Sequence, residues 1–111
     1  MQLKLFESNE SPDDLPPDTL DIFGKRFTIK LLEPDESDDC DGYMDLGKSE
    51  IGLRIQESND YNKDTLLHEV VHAIDETLNL KLKESQVHQL AVGLLAVLKQ
   101  NKKFSQWLLN E

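Results

Sequence analysis

His68-Glu69-Val70-Val71-His72 is the segment of this chain whose residue types and spacing could do chemistry. Two histidines four positions apart on a helix sit one turn and roughly 40° apart, so their imidazoles can converge on one metal ion. A glutamate beside the first histidine can hold a water bound to that ion and take its proton. At this chain's histidine and glutamate frequencies, such an H-E-x-x-H arises by chance in roughly 1% of chains of this length. The plain alternative is a surface pair of histidines in i,i+4 contact, with Glu69 in solvent.

A helix has to carry this motif, and the flanking residues predict one. From about Asn62, Leu66, Leu67, Val70, Val71, Ile74 and Leu78 recur at i, i+3, i+4 spacing, and Asn79 marks the end. With Leu66 at zero, the apolar positions fall between roughly 0° and 140°, whereas Asp75, His68, His72, Glu76 and Glu69 fall between roughly 180° and 300°. The two histidines therefore face away from the main apolar stripe, with Glu69 flanking them.

Zinc needs a third protein ligand. Asp75 and Glu76 lie within a turn of His72 and would have to bend back toward the ion. Glu84 opens a second predicted helix, about Glu84 to Leu98, whose stripe is Val87, Leu90, Ala91, Leu94 and Leu98. Gln86 can reach back in the manner of a capping box, although Lys83 is a poor N-cap. Glu84 and His88 share one edge of that stripe and can both face the histidine pair across the helix–helix seam. Glu84 then reads either as a ligand or as an ordinary acid favoured by the helix dipole. His88 reads either as a competing ligand or as a residue that steadies one. Two neutral imidazoles and one carboxylate would leave the ion at net +1 with an open position.

The remaining segments supply the frame. Leu20 to Leu32 reads as a hairpin turning at Gly24, with Phe27, Ile29 and Leu31 at the period of a half-buried strand. Tyr43–Leu46 and Glu50–Gln56 read as a second hairpin around Gly47-Lys48-Ser49. If the Glu50–Gln56 strand is a sheet edge, an extended peptide could pair with it. A short third helix is expected over Lys102–Leu109, capped by Asn101 and packed through Phe104, Trp107 and Leu108. Gly93 reads as a close helix contact, and Leu94, Leu95, Val97 and Leu98 as core. Strands then helices in blocks give an α+β domain: a small antiparallel twisted sheet of two hairpins packed on the H-E-x-x-H helix and one or two further helices. The domain is expected over residues 20–111, after a flexible, acidic, Pro-rich arm at 1–19.

Composition narrows the function. The 111 residues carry 12 Lys+Arg against 22 Asp+Glu, a formal charge of −10. Residues 1–50 hold 14 of the acids and 5 of the bases. That balance argues against nucleic acid and against an anionic membrane surface. A single cysteine, Cys40, cannot form an internal disulfide, and no apolar run has signal-peptide or transmembrane length, so a cytoplasmic protein is expected. Carboxylates around Cys40 disfavour its thiolate. The acids from Asp35 to Asp45 do not fit a calcium loop, because Lys48 stands where a glutamate is needed.

Thr65 to Asp75, followed by Leu82-Lys83-Glu84-Ser85-Gln86-Val87 and Leu90-Ala91, resembles the small phage- and prophage-encoded zinc metallopeptidases. These are similar to minimal gluzincins and, more distantly, to the ImmA/IrrE and SprT-like metallopeptidases. The resemblance covers about residues 20–111 and is strongest over 62–98. It implies one zinc ion held by His68, His72 and Glu84, Glu69 as catalytic base, a twisted sheet in front of the motif helix, and the cytoplasm of a bacterial host. His88 departs from the family pattern, which commonly has Asp or Asn four residues after the ligand acid.

Three functions follow. The first is a zinc peptidase acting on a protein or peptide, with His88, Tyr43 and Tyr61 as candidate donors to the oxyanion. The second is an acidic interaction protein with a structural or vestigial zinc site, whose arm and loop engage a basic host or phage protein. The third is an amidase or other hydrolase using the same metal site.

Overall fold

The computed structural model describes residues 15–33 and 41–110. Residues 1–14 of the expected arm, and residues 34–40 of the acidic loop with Cys40 and most of the candidate calcium loop, lie outside the described residues. What is described is a small α+β domain. It consists of β1 (Thr19–Ile22), β2 (Lys25–Leu32), β3 (Gly42–Asp45), β4 (Glu50–Arg54), α1 (Asn59–Leu78), α2 (Glu84–Gln100) and α3 (Lys102–Leu109). None of the described helices is long and apolar enough to cross a membrane.

Both expected hairpins are present. Phe23 (φ 51°) and Gly24 (φ 82°) make the first turn, with two consecutive positive φ values matching the twist of the strands they join. The hairpins meet through β2 and β4, which pair in parallel, giving the order β1-β2-β4-β3. The sheet is therefore mixed rather than wholly antiparallel. The Glu50–Gln56 strand, expected as a candidate edge, is central. Its residues explain the placement. Ile51 and Leu53 are buried against the helical side, and Gly52 is buried on the other face beneath the Tyr43 ring. A Cβ on Gly52 would lie 2.1 Å from that ring. A strand buried on both faces belongs inside a sheet.

Helix α1 lies across the sheet. Leu66, Val70, Ala73 and Ile74 pack with Ile22, Phe27, Ile29 and Ile51. A second, smaller cluster joins α1 to α2 through Leu67 and Val71 on one side and Leu82, Val87 and Ala91 on the other.

Along the rest of α2 the expected core thins out. Leu90, Leu94 and Val97 are exposed, and a Cβ on Gly93 would meet nothing within 4 Å, so that glycine is not a close helix contact. Helix α3 has its expected span, but Phe104, Trp107 and Leu108 are exposed instead of packed, Trp107 at 72%. Its tie to α2 is a hydrogen bond from Ser105 Oγ to the Leu98 carbonyl, 2.6 Å. Asn101 does not cap α3 with its side chain, which instead donates to the Val97 carbonyl. An apolar stripe identifies a face, and here no described element covers that face.

Candidate metal centre

The N-terminus of α1 is fixed by local polar residues. Ser58 Oγ accepts the Tyr61 N–H at 3.2 Å, so the helix starts at Asn59, three residues before the expected Asn62. The Asn62 side chain exchanges two hydrogen bonds with the Gln56 backbone, 2.8 and 3.0 Å, tying the end of β4 to the helix. Motif and sheet are thereby set in register.

The five-residue connector from Asn79 to Lys83 is fixed by Asp75. Asn79 ends α1 in the left-handed region (φ 55°), as its position predicts, and its N–H donates to the Asp75 carbonyl. The Leu80 N–H donates to the same carbonyl at 3.0 Å. Asp75 Oδ1 accepts the Leu82 N–H at 3.1 Å, while Lys81 takes a second positive φ, 62°. The Lys83 N–H then donates to Gln86 Oε1 at 2.8 Å, the reach-back anticipated for Gln86. Asp75 is thus no ligand in this arrangement. It holds the turn that delivers Glu84, the first residue of α2.

The delivery brings three side chains together. Glu84 Oε2 lies 2.8 Å from His68 Nε2, and Glu84 Oε1 lies 2.9 Å from His72 Nε2. The two imidazoles meet edge to face with centroids 4.8 Å apart. One ligand atom from each of His68, His72 and Glu84 falls within 4.8 Å of the others. The set could hold a metal ion: two imidazole nitrogens and a carboxylate oxygen are metal-ligand atoms, and their spacing brackets the ~3.3 Å edge of a tetrahedron with ~2.0 Å bonds. The histidines are half-buried, whereas the Glu84 side chain is 68% exposed, so the group opens to solvent on the α2 side.

Glu69 is where the structure adds most. It sits in the seam between α1 and β3, 7% exposed, and lines the cleft beside the histidines. A Cβ on Gly42 would sit 3.5 Å from Glu69 Cγ and 2.9 Å from the Gly52 carbonyl, so the missing side chain lets α1 approach the edge strand. Burial raises the Glu69 pKa to about 7, with the Glu84 carboxylate adding to the rise and His72 opposing it. The helical wheel placed Glu69 with the polar residues, flanking the histidines. The Gly42 approach that buries it is a non-local contact, with no trace in the local pattern.

The other candidates separate. His88 lines the same cleft, its ring 6.1 Å from that of His68, but stands outside the three-ligand group. Tyr43 lies over Gly52 on the far face of the sheet and donates its hydroxyl to Glu50. Tyr61 is on the cleft wall, but its hydroxyl donates to Asp41, which also takes Arg54 Nη2 at 3.2 Å. The Tyr61 hydrogen bond, then Arg54, hold the Asp41 carboxyl below its usual range, and the same bond raises the Tyr61 pKa. The cleft itself has a volume of about 360 Å³ and runs from Asp41 and Gly42 past His68, Glu69 and Glu84. No protein-family model, curated protein or solved structure matches this chain.

Proposed function

We propose that the chain is a zinc-dependent peptidase. One observation carries this reading: two motif histidines meet a carboxylate from the next helix within 2.9 Å, beside a buried glutamate that opens into the same cleft. The resemblance of residues 62–98 to small phage and prophage metallopeptidases points the same way.

His68, His72 and Glu84 would hold the ion, which supplies a water of lowered pKa and a Lewis acid for the scissile carbonyl. Glu69 then acts as the base. Its carboxylate, buried beside the ligands, would take the proton of the attacking water and pass it to the leaving amide nitrogen. Gly42 keeps bulk water off one side of that carboxylate by letting β3 close over it. His88, on the cleft wall, is the side chain placed to donate to the developing oxyanion, since Tyr43 and Tyr61 are committed elsewhere. The central position of β4 removes it as a pairing edge for a peptide.

The test is metal analysis joined to hydrolysis. Protein purified without chelator should carry about one zinc per chain, His68→Ala should carry none, and Glu69→Gln should keep the metal while losing at least ~10²-fold in peptide hydrolysis. Zinc retained by His68→Ala, or full activity in Glu69→Gln, would defeat the reading. A biological effect that survives Glu69→Gln would instead favour an interaction protein with a structural ion.

A further inference from the structure

The cleft continues past the ligands. Asp64 and Val92 line it, and the same two residues line a second cavity of about 290 Å³ with Leu95, Ala96 and Lys99. Together the cavities form a groove between α1 and α2, from the histidines to the Asp60–Lys99 ion pair at its far end.

The charges along this groove are not equivalent. Lys99 is taken by Asp60 at 2.5 Å, Asp41 by Arg54 and Tyr61, and Glu84 by the two histidines. Asp64 is half-buried and has no hydrogen-bond or ion-pair partner among the described residues. Its neighbours on the α2 wall, Ala91, Val92 and Leu95, are apolar. Glu69, 7% exposed, faces the same cleft nearer the histidines, where the proposed metal-bound water would be its partner. Asp64 is the acid on the groove wall left without a partner among the described residues, placed to take a cation from a ligand.

We propose that Asp64 makes the α1–α2 groove a subsite for a lysine or arginine side chain of a bound peptide. This rests on the peptidase reading and names its substrate class. The aliphatic stem of a basic side chain lies against the apolar wall, and its charged head meets Asp64. In a crevice between two helices such a pair is stronger than on an open surface, because less water screens it. A neutral or acidic occupant leaves the Asp64 carboxylate desolvated without compensation. Asp64 stands one helical turn, ~5.4 Å, before His68, and an extended peptide advances ~3.3 Å per residue. The basic residue therefore falls within about two positions of the bond that is cut.

The test uses the full chain carrying Glu69→Gln, loaded with zinc, and three fluorescein-labelled serine/alanine decapeptides with Lys, Gln or Glu at one central position. By anisotropy, the Lys peptide should bind roughly tenfold more tightly than the Gln peptide, with the Glu peptide weakest. Adding Asp64→Asn should bring Lys and Gln within about twofold, and Asp64→Lys should favour Glu. Should Asp64→Lys fail to fold, Asp64→Ser takes its place, with equal Lys and Gln binding expected. Absence of peptide binding, absence of a Lys preference, or a preference that survives Asp64→Asn overturns the subsite. In parallel, the wild-type chain is given a library of peptides produced by glutamyl endopeptidase, and the cuts are read by mass spectrometry. Lys-selective binding without cleavage refutes the peptidase reading and retains the subsite. Cleavage with no basic residue enriched within two positions of the cut refutes the subsite and retains the peptidase.

Discussion

Helix α1 is held on two sides, and the two holds differ in strength. Against the sheet it belongs to a cluster with five buried residues, Ile22, Phe27, Ile29, Ile51 and Ala73, ringed by six partly buried apolar side chains. Against α2 the cluster has three buried residues, Val71, Val87 and Ala91, and two partly buried ones. The chemistry is built on the weaker side. His68 and His72 come from a helix anchored to the sheet, whereas Glu84 comes from a helix held by little besides its seam and connector. A metal bound by all three would thus staple the thin cluster to the thick one, stabilising the state that binds it.

This asymmetry can be broken in graded steps. The largest effect belongs to the sheet side: Ile51→Ala should lose about 3–4 kcal/mol in urea unfolding, because Ile51 is fully buried in the larger cluster. A loss below ~1 kcal/mol would mean that the sheet is not the anchor. Next comes Glu69. In the metal-free chain it binds its proton more tightly folded than unfolded, with a pKa of about 7 against 4.5. As pH rises through that window the unfolded chain releases its proton first, so stability falls, by on the order of 3 kcal/mol, and then levels above about pH 7. Glu69→Gln should abolish that slope and raise the metal-free Tm at pH 8; parallel pH profiles for the two proteins would refute the burial of a charge there.

On the α2 side, Val87→Ala should cost about 1–2 kcal/mol. Its signature is regional: faster amide exchange in α2 with the sheet amides unchanged. Uniform acceleration throughout would show that the two clusters unfold as one. At the bottom of the scale, Trp107→Ala should move stability by less than ~0.5 kcal/mol, since the side chain is largely exposed. A larger loss would mean that α3 is packed in solution.

The same asymmetry divides what the sequence makes legible from what it does not. The motif helix, its end at Asn79, the second helix at Glu84 and both hairpins rest on local periodicity and capping chemistry, which act over a few residues. The angles on two helical wheels turn Glu84 and His88 alike toward His68 and His72, without choosing between them. The parallel β2–β4 pairing could not be read that way, because alternation sets a strand's faces and not its neighbour. Burial of Glu69 depends on the absence of a side chain at Gly42, 27 positions earlier in the chain. The stripe through Leu90 and Leu94, and Val97 beside it, read as core for the converse reason: the pattern is that of a buried face, and α3 does not fold back over it.

Asp75 accepts three backbone N–H groups, from Asn79, Leu80 and Leu82, and touches none of the candidate ligands. The positional information of the site is consequently stored one turn beyond the last histidine. For comparing sequences, the useful pattern is not H-E-x-x-H alone but that string with an aspartate three places on and a glutamate nine beyond it. Adding or deleting one residue between those two acids would disturb the turn that Asp75 holds through Leu80 and Leu82, and with it the delivery of Glu84, while leaving the rest of the pattern intact. Conservation of that interval, more than of the histidines, would identify chains that share this geometry.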